Sequence, residues 1–445
     1  MKTIIIGAVA AGMSAASKIR RTQYEAEVTV YERGGVVSYG ACGLPYFVGQ
    51  EIPDANKMII RTKEQFEKMG ITMRLFHEVI GVDVQKKVVL VKDLDTGRIF
   101  EDGYDHLLIA TGASPVVPPW EGVTHPVVKT LSTIEDGEAI KELAKKRDVR
   151  NVVVIGAGFI GVELVEAFVG LEKKTTLIEY KNQVLPHFDK EMAYELQLEM
   201  ERKNVLVRTN EKVVSLEKIS EDAVFVHTDK NQYLADLVIV SVGVKPNTAF
   251  LEGSGIKRLD NGAILVDQEM RTSVKDVYAA GDCATVYHRV KETMDEYIPL
   301  GTNANKQGKI VGAIISGEKG SFQSALGTSM IKVCDMEGAK TGLSEREAIL
   351  ENVDYKAVTV KALNHASYYP DPKPITMKLL IQAKTRALIG AQAVGYEGTA
   401  LRINTLALAI HTKTTVDELA WVDFGYAPPF SGVWDVIHIA SNAMK

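Results

Sequence analysis

An α/β fold with two Rossmann-like units and a separate α+β portion behind them is what three observations on this 445-residue sequence predict. A strand, glycine turn, helix and second strand occur twice in that order. Each copy ends on an acid at the distance a nucleotide-binding βαβ unit requires. The stretch from Leu326 to Lys445 has no such fingerprint and alternates strand-like runs (MKLLIQ, ALIGAQAVG) with an amphipathic helix, Ala400 to His411. At about 150 residues per domain, the length suits roughly three domains.

The first copy is TIIIGAVAAGMSAASKIRR followed by VTVYE; the second is NVVVIGAGFIGVELVEAF followed by TTLIE. β-branched runs favour strand, and glycines break them before a helix opens. The glycines admit a pyrophosphate close to the backbone, the helix start offers N–H groups, and the acid accepts from ribose hydroxyls. Glu32 lies 20 residues beyond Gly12, and Glu179 lies 18 beyond Gly161. The second glycine set is complete (Gly156, Gly158, Gly161), whereas Val9 holds the middle position between Gly7 and Gly12. Met1-Lys2 and the residues behind it imitate a secretory leader, but a strand from Thr3 to Ile6 is the reading the first unit supports. No repeat is expected beyond these two units.

Charge and composition narrow the classes. Lys+Arg 52 against Asp+Glu 57 leaves −5, so nucleic acid is not an expected partner. No apolar run approaches the ~20 residues of a membrane helix. Three cysteines (Cys42, Cys283, Cys334) are too few and too scattered for a disulfide scaffold or a metal site, and suit a reducing cytoplasm.

Three more segments set the class. LLIATGASP (107–115) is a strand ending in Thr-Gly, and VIVSVGVKPN (238–247) is a similar strand. TSVKDVYAAGDCA (272–284) puts Asp282 after a strand and a glycine, where a carboxylate can accept from a sugar-alcohol chain. In this order the motifs resemble the two-dinucleotide FAD/NAD(P)H disulfide-reductase superfamily, over essentially the whole chain. The resemblance implies an FAD-binding domain made of 1–115 and 246–325, interrupted by an NAD(P)-binding domain at 116–245, with a dimerisation domain at 326–445. It implies FAD contacts at Gly7, Ala11, Gly12, Glu32, Arg33, Val79, Ala110, Thr111, Gly112, Gly281, Asp282, Pro299, Leu300 and Thr302. For the nicotinamide dinucleotide it implies Gly156, Gly158, Phe159, Ile160, Gly161, Glu179 and Gly243. Phe159 is either an aromatic gate over the flavin or a core aromatic at a helix start. Glu179 favours NADH by repelling a 2′-phosphate, and Lys181 offsets that repulsion, so NADPH stays open.

The chemical centre falls in SYGACGLPYFVG (38–49), where Cys42 stands at the expected start of a helix, a position that favours a thiolate. A thiolate beside a flavin can exchange with a disulfide. Two-cysteine reductases carry Cys-x4-Cys, and position 47 is Phe47, so Cys42 works alone; Cys283 and Cys334 read as structural. A single active cysteine is similar to the NADH peroxidase, NADH oxidase and coenzyme A-disulfide reductase subfamily. Its peroxide- and oxygen-using members carry a histidine where Ala10 stands here, so the turn is similar to the coenzyme A-disulfide reductases. That resemblance implies catalytic tyrosines from the partner of a homodimer, Tyr426 and one of Tyr368 and Tyr369. It also implies substrate contacts at Ser14, Lys18, Arg21, Ser38 and Asn305, while Ala41 lacks an amide other members have.

The expected activity is thus reduction of coenzyme A disulfide by NADH or NADPH through FAD and a Cys42–S–S–CoA mixed disulfide. The alternatives are an NADH oxidase and a polysulfide or persulfide reductase. The latter often carries an added rhodanese domain, for which a third domain running to Lys445 leaves no room, and free-standing versions stay open. Cys42 argues against a reductase serving an electron-transfer protein.

Overall fold

The β-branched runs become central strands of two parallel sheets with one strand plan, in a computed structural model that describes residues 1–444. The first sheet is ordered Val277–Ala279, His106–Ile109, Lys2–Ile6, Glu27–Tyr31, Ile71–Arg74. Its central Ile5 faces Leu108 on one side and Val30 on the other. The second is ordered Leu206–Arg208, Lys174–Ile178, Asn151–Ile155, Leu237–Val240, Val128–Lys129, with Val153 between Thr176 and Val238. Helices cover such sheets on both faces, so the central strands are continuous apolar runs.

The repeat runs further than the sequence suggests. After its third strand each unit makes a three-stranded antiparallel meander. These are His77–Asp83, Val88–Asp93 and Ile99–Gly103 in the first unit, and Val213–Ser220, Ala223–Thr228 and Gln232–Ala235 in the second. The chain then returns to pair with the central strand. The expectation of no further repeat is therefore corrected. A meander with one wet face needs only alternation, so its two copies share geometry and not residues.

Behind these lies a five-stranded antiparallel sheet, ordered Ser329–Val333, Met336–Gly342, Leu388–Gly395, Pro374–Gln382, Tyr355–Leu363. The predicted amphipathic helix packs on it as Thr399–His411. Among the described residues no helix is long and apolar enough to cross a membrane.

Three contacts position the site. Helices Ala10–Thr22 and Gly301–Ile315 cross so closely that a Cβ on Gly308 would stand 2.1 Å from the Ala11 carbonyl oxygen. Helix Leu44–Val48, just beyond Cys42, buries Leu44, Phe47 and Val48 in the core of the second unit with Ile140, Leu164 and Phe168. Between the two units, Ala113–Pro115 pairs antiparallel with Val244–Pro246, and the Asn247 amide donates to the Thr111 carbonyl at 2.9 Å.

Candidate active site

The two glycine turns are near copies. Gly7 and Gly156 have φ of 103° and 104°. A Cβ on Gly12 would lie 1.9 Å from the Gly7 carbonyl oxygen, and one on Gly161 2.0 Å from that of Gly156. Val9 in place of a glycine leaves this geometry intact. Behind each turn the acid bridges two backbone amides. Glu32 accepts from Ala8 and Gly34, both at 2.8 Å; Glu179 accepts from Ala157 at 2.8 Å and Lys181 at 2.9 Å. Neither helix start carries a side-chain cap, which leaves N–H groups for a phosphate.

The remaining residues expected to hold FAD are placed as follows. Ala110 N–H donates to Ile6, Thr111 Oγ1 donates to the Asn247 carbonyl, and Gly112 has φ 64°. Gly281 N–H donates to Gln307 Oε1 at 2.8 Å, and a Cβ on Gly281 would touch Ala11. Arg33 reaches Ser114 at 3.4 Å, Val79 is buried in the core, and Pro299, Leu300 and Thr302 enter helix Gly301–Ile315. Asp282 is half-buried, and among the described residues its carboxylate has no hydrogen-bond partner; burial pushes its pKa up. A carboxylate left without a donor fits the hydroxyl-rich chain of a flavin dinucleotide.

In the second unit Phe159 is half-buried and stacks on His187, with centroids 5.8 Å apart at 9°, and also leans on Phe188. Ile160 is exposed, and space is open at Gly158 and Gly243. Lys181, besides donating its amide to Glu179, lays its ammonium 5.6 Å from the Tyr180 ring.

Cys42 stands in a single 3₁₀ turn, Ala41–Gly43, ahead of the five-residue helix Leu44–Val48. The residue is exposed, and its sulfur lies 4.0 Å from where a Cβ on Gly301 would be. Its thiol is pushed up, by the surrounding protein first and then by the charges of Glu163 and Asp282. The expectation of a thiolate favoured by a helix start is corrected here. A helix of little more than one turn offers a weak dipole, and the two acids and the protein around the sulfur oppose it. Phe47 is buried under the Lys141 ammonium, 3.8 Å from its ring centroid, so the second-cysteine position is part of the core. Cys283 is fully buried and donates to Ile109 and Ala280; Cys334 is pushed up to about 11, chiefly by burial.

Sequence reading missed Glu163, whose carboxyl is pushed up to about 7 by burial and by Glu166. Its signal was an acid two residues past Gly161 on the helix Phe159–Gly170, whose only other charged residue is Glu166. Glu166 is accounted for by Lys332, its ion-pair partner from the C-terminal sheet. Ionised Glu163 opposes ionisation of Cys42, so Glu163→Gln should move the pH midpoint of Cys42 alkylation by iodoacetamide downward. An unchanged or raised midpoint refutes the coupling.

The three tyrosines, all exposed, differ in their contacts within one chain. Tyr368 and Tyr426 share a hydroxyl–hydroxyl hydrogen bond, whereas Tyr369 packs edge-on against His365 at 5.3 Å. The bond to Tyr368 holds the Tyr426 phenol above its usual range.

Three of the expected substrate contacts, Ser14, Lys18 and Asn305, lie at the crossing of helices Ala10–Thr22 and Gly301–Ile315, and among the described residues no hydrogen bond brings Arg21 or Ser38 to them. Ser14 Oγ donates to Asn305 Oδ1 at 2.8 Å, and Asn305 Nδ2 donates to the Gly301 carbonyl at 3.0 Å. Lys18 is one helical turn beyond Ser14. Arg21 donates to the Ser17 carbonyl at 3.1 Å, and Ser38 N–H ties back to the Ala8 carbonyl at 2.8 Å. Ala41 is exposed and offers only its methyl group.

Two glycine-turn nucleotide sites with a lone exposed cysteine between them define a flavin-linked pyridine-nucleotide redox protein. Residues 1–308 match the family described as pyridine nucleotide-disulphide oxidoreductase, and 328–436 match its dimerisation domain. The chain belongs to this FAD-dependent family, and membership implies both FAD and NAD(P)H. It is 39% identical over 445 residues to an "NAD(P)H sulfur oxidoreductase (CoA-dependent)" of Pyrococcus furiosus, covering 100% of this chain and 99% of that one. It is 32% identical to a "Coenzyme A disulfide reductase" of Staphylococcus aureus, covering 100% of both. The solved water-forming NADH oxidase of Lactobacillus brevis superposes with a TM-score of 0.95 at 31% identity, covering 100% of this chain and 98% of that one.

Proposed function

We propose that this protein reduces coenzyme A disulfide with NAD(P)H, as a homodimer whose partner supplies the tyrosines. The observation that carries the reading is the row of side chains where the two helices cross, which we read as the groove for the ligand. The Cys42 sulfur lies at its Gly301 end, Ser14 and Asn305 bond across it, and Lys18 is one turn further on. A thiol at the sulfur with a polar arm and distal phosphates matches that order.

When bound, FAD would carry electrons from the nicotinamide to the sulfur. Cys42 thiolate attacks one sulfur of coenzyme A disulfide, forming Cys42–S–S–CoA and expelling a CoA thiolate. Two electrons and a proton then cleave the mixed disulfide, returning the Cys42 thiolate and a second CoA thiol. The partner's copy of Tyr426, positioned by its bond to Tyr368, protonates the leaving thiolate. Tyr426→Phe should slow the disulfide half-reaction about tenfold or more and spare reduction by NADH in stopped-flow traces. Two unaltered half-reactions would reduce the tyrosine to packing.

The similarity to a sulfur oxidoreductase described as CoA-dependent favours a second reading, polysulfide reduction through the same groove and cysteine. NADH consumption without oxygen separates the readings. Turnover that starts on adding coenzyme A disulfide supports the first. Turnover that needs polysulfide and CoA together supports the second, and turnover only on admitting air makes the protein an oxidase.

A further inference from the structure

Lys18 stands in the groove already engaged. Its Nζ lies 2.8 Å from Glu318 Oε1, and Thr22 Oγ1 lies 3.3 Å from the same oxygen. The lysine stem is held against the opposite helix, where a Cβ on Gly312 would stand 2.7 Å from the Lys18 Cβ. Glu318 follows the end of helix Gly301–Ile315. Gly317 turns with φ 82°, and Glu318 N–H donates to the Ala313 carbonyl at 2.9 Å, which fixes the backbone behind the carboxylate. The Lys18 side chain is 19% exposed and that of Glu318 46%, so the acid forms the wetter, more displaceable half of the pair.

We infer that Glu318 is a specificity-determining residue, an acidic latch on Lys18 that a phosphate-bearing thiol must displace. This rests on the reading of the groove as the coenzyme A site. A phosphate approaching Lys18 trades one anion for another and meets repulsion from Glu318 as it does so. A phosphate-free thiol bound at Cys42, Ser14 and Asn305 leaves the latch closed. The latch therefore weakens binding of phosphate-carrying ligands and leaves that of short ones untouched. Arg21, whose bond is to a backbone carbonyl, is not held by it.

Calorimetric titration of the FAD-loaded protein with coenzyme A and with pantetheine, which lacks the phosphates, tests the latch. Glu318→Gln should tighten coenzyme A about fivefold, the upper end of what an exposed ion pair is worth, and leave pantetheine unmoved. In a Lys18→Met background the same substitution should give no gain, which a general field effect would not reproduce. If the original protein binds coenzyme A and the substitution gives no gain, an equal gain for pantetheine, or a gain without Lys18, the latch is refuted and the groove stands. If none of the four proteins binds coenzyme A, the groove reading falls and the latch with it.

Discussion

Cys42→Ser is expected to yield a protein that still binds FAD and consumes no NADH on addition of coenzyme A disulfide. The loss should be on the order of 10³-fold or more, because an alcohol neither ionises near neutrality nor forms a mixed disulfide. The fold should tolerate the change. Cys42 is exposed in a 3₁₀ turn, and the core behind it is made by Leu44, Phe47 and Val48. No other sulfur can stand in. Cys283 is sealed in the core of the first unit, and Cys334 lies in the turn between strands Ser329–Val333 and Met336–Gly342 with its thiol pushed up to about 11. Flavin absorbance on the purified variant and anaerobic NADH oxidation give the two readouts. Retained disulfide-dependent turnover would falsify the proposed chemistry. Retained oxygen consumption would not, since reduced flavin reacts with oxygen without help from sulfur.

The legible parts of the site were those fixed by local chemistry. Gly12 and Gly161 announce themselves because a side chain there would collide with backbone, and Glu32 and Glu179 because the amides they bridge sit at a set distance along the chain. Phe47 was legible as the absence of a second cysteine, though not as part of the neighbouring unit's core. What could not be read was assembled from distant segments. Glu163 acquires its raised pKa only when burial and Glu166 surround it. The raised thiol pKa of Cys42 comes first from the protein around the sulfur and then from two acids lying 121 and 240 residues away in sequence. Spacing speaks to the turn a residue lies in, and electrostatics to every element that closes over it.

The same division governs stability, where Lys378→Met should have the largest effect outside the active site. Lys378 is nearly buried on Pro374–Gln382, and its ammonium meets Asp189 at 3.0 Å, Glu345 at 3.2 Å and Glu191. Asp189 is itself buried, accepts from Gln392 Nε2 at 2.8 Å and from the Glu345 amide, and directly precedes helix Lys190–Arg202. One ammonium thus ties the second unit to the C-terminal sheet. Removing it leaves three carboxylates facing one another, with Asp189 unable to reach water. Breaking a buried pair from one side costs about 3–5 kcal/mol. Glu191 and Glu345 are partly solvated, and Asp189 keeps its amide donors, which argues for the lower end, about 3 kcal/mol. The midpoint of thermal unfolding should then fall by about 5 °C or more at neutral pH. Adding Asp189→Asn should recover part of the loss, because it removes the stranded charge, whereas Glu191→Gln should recover less. A midpoint unmoved by Lys378→Met would mean that apolar packing and the remaining polar contacts, such as Asp189 with Gln392 and Glu166 with Lys332, join the two units without help from the ammonium.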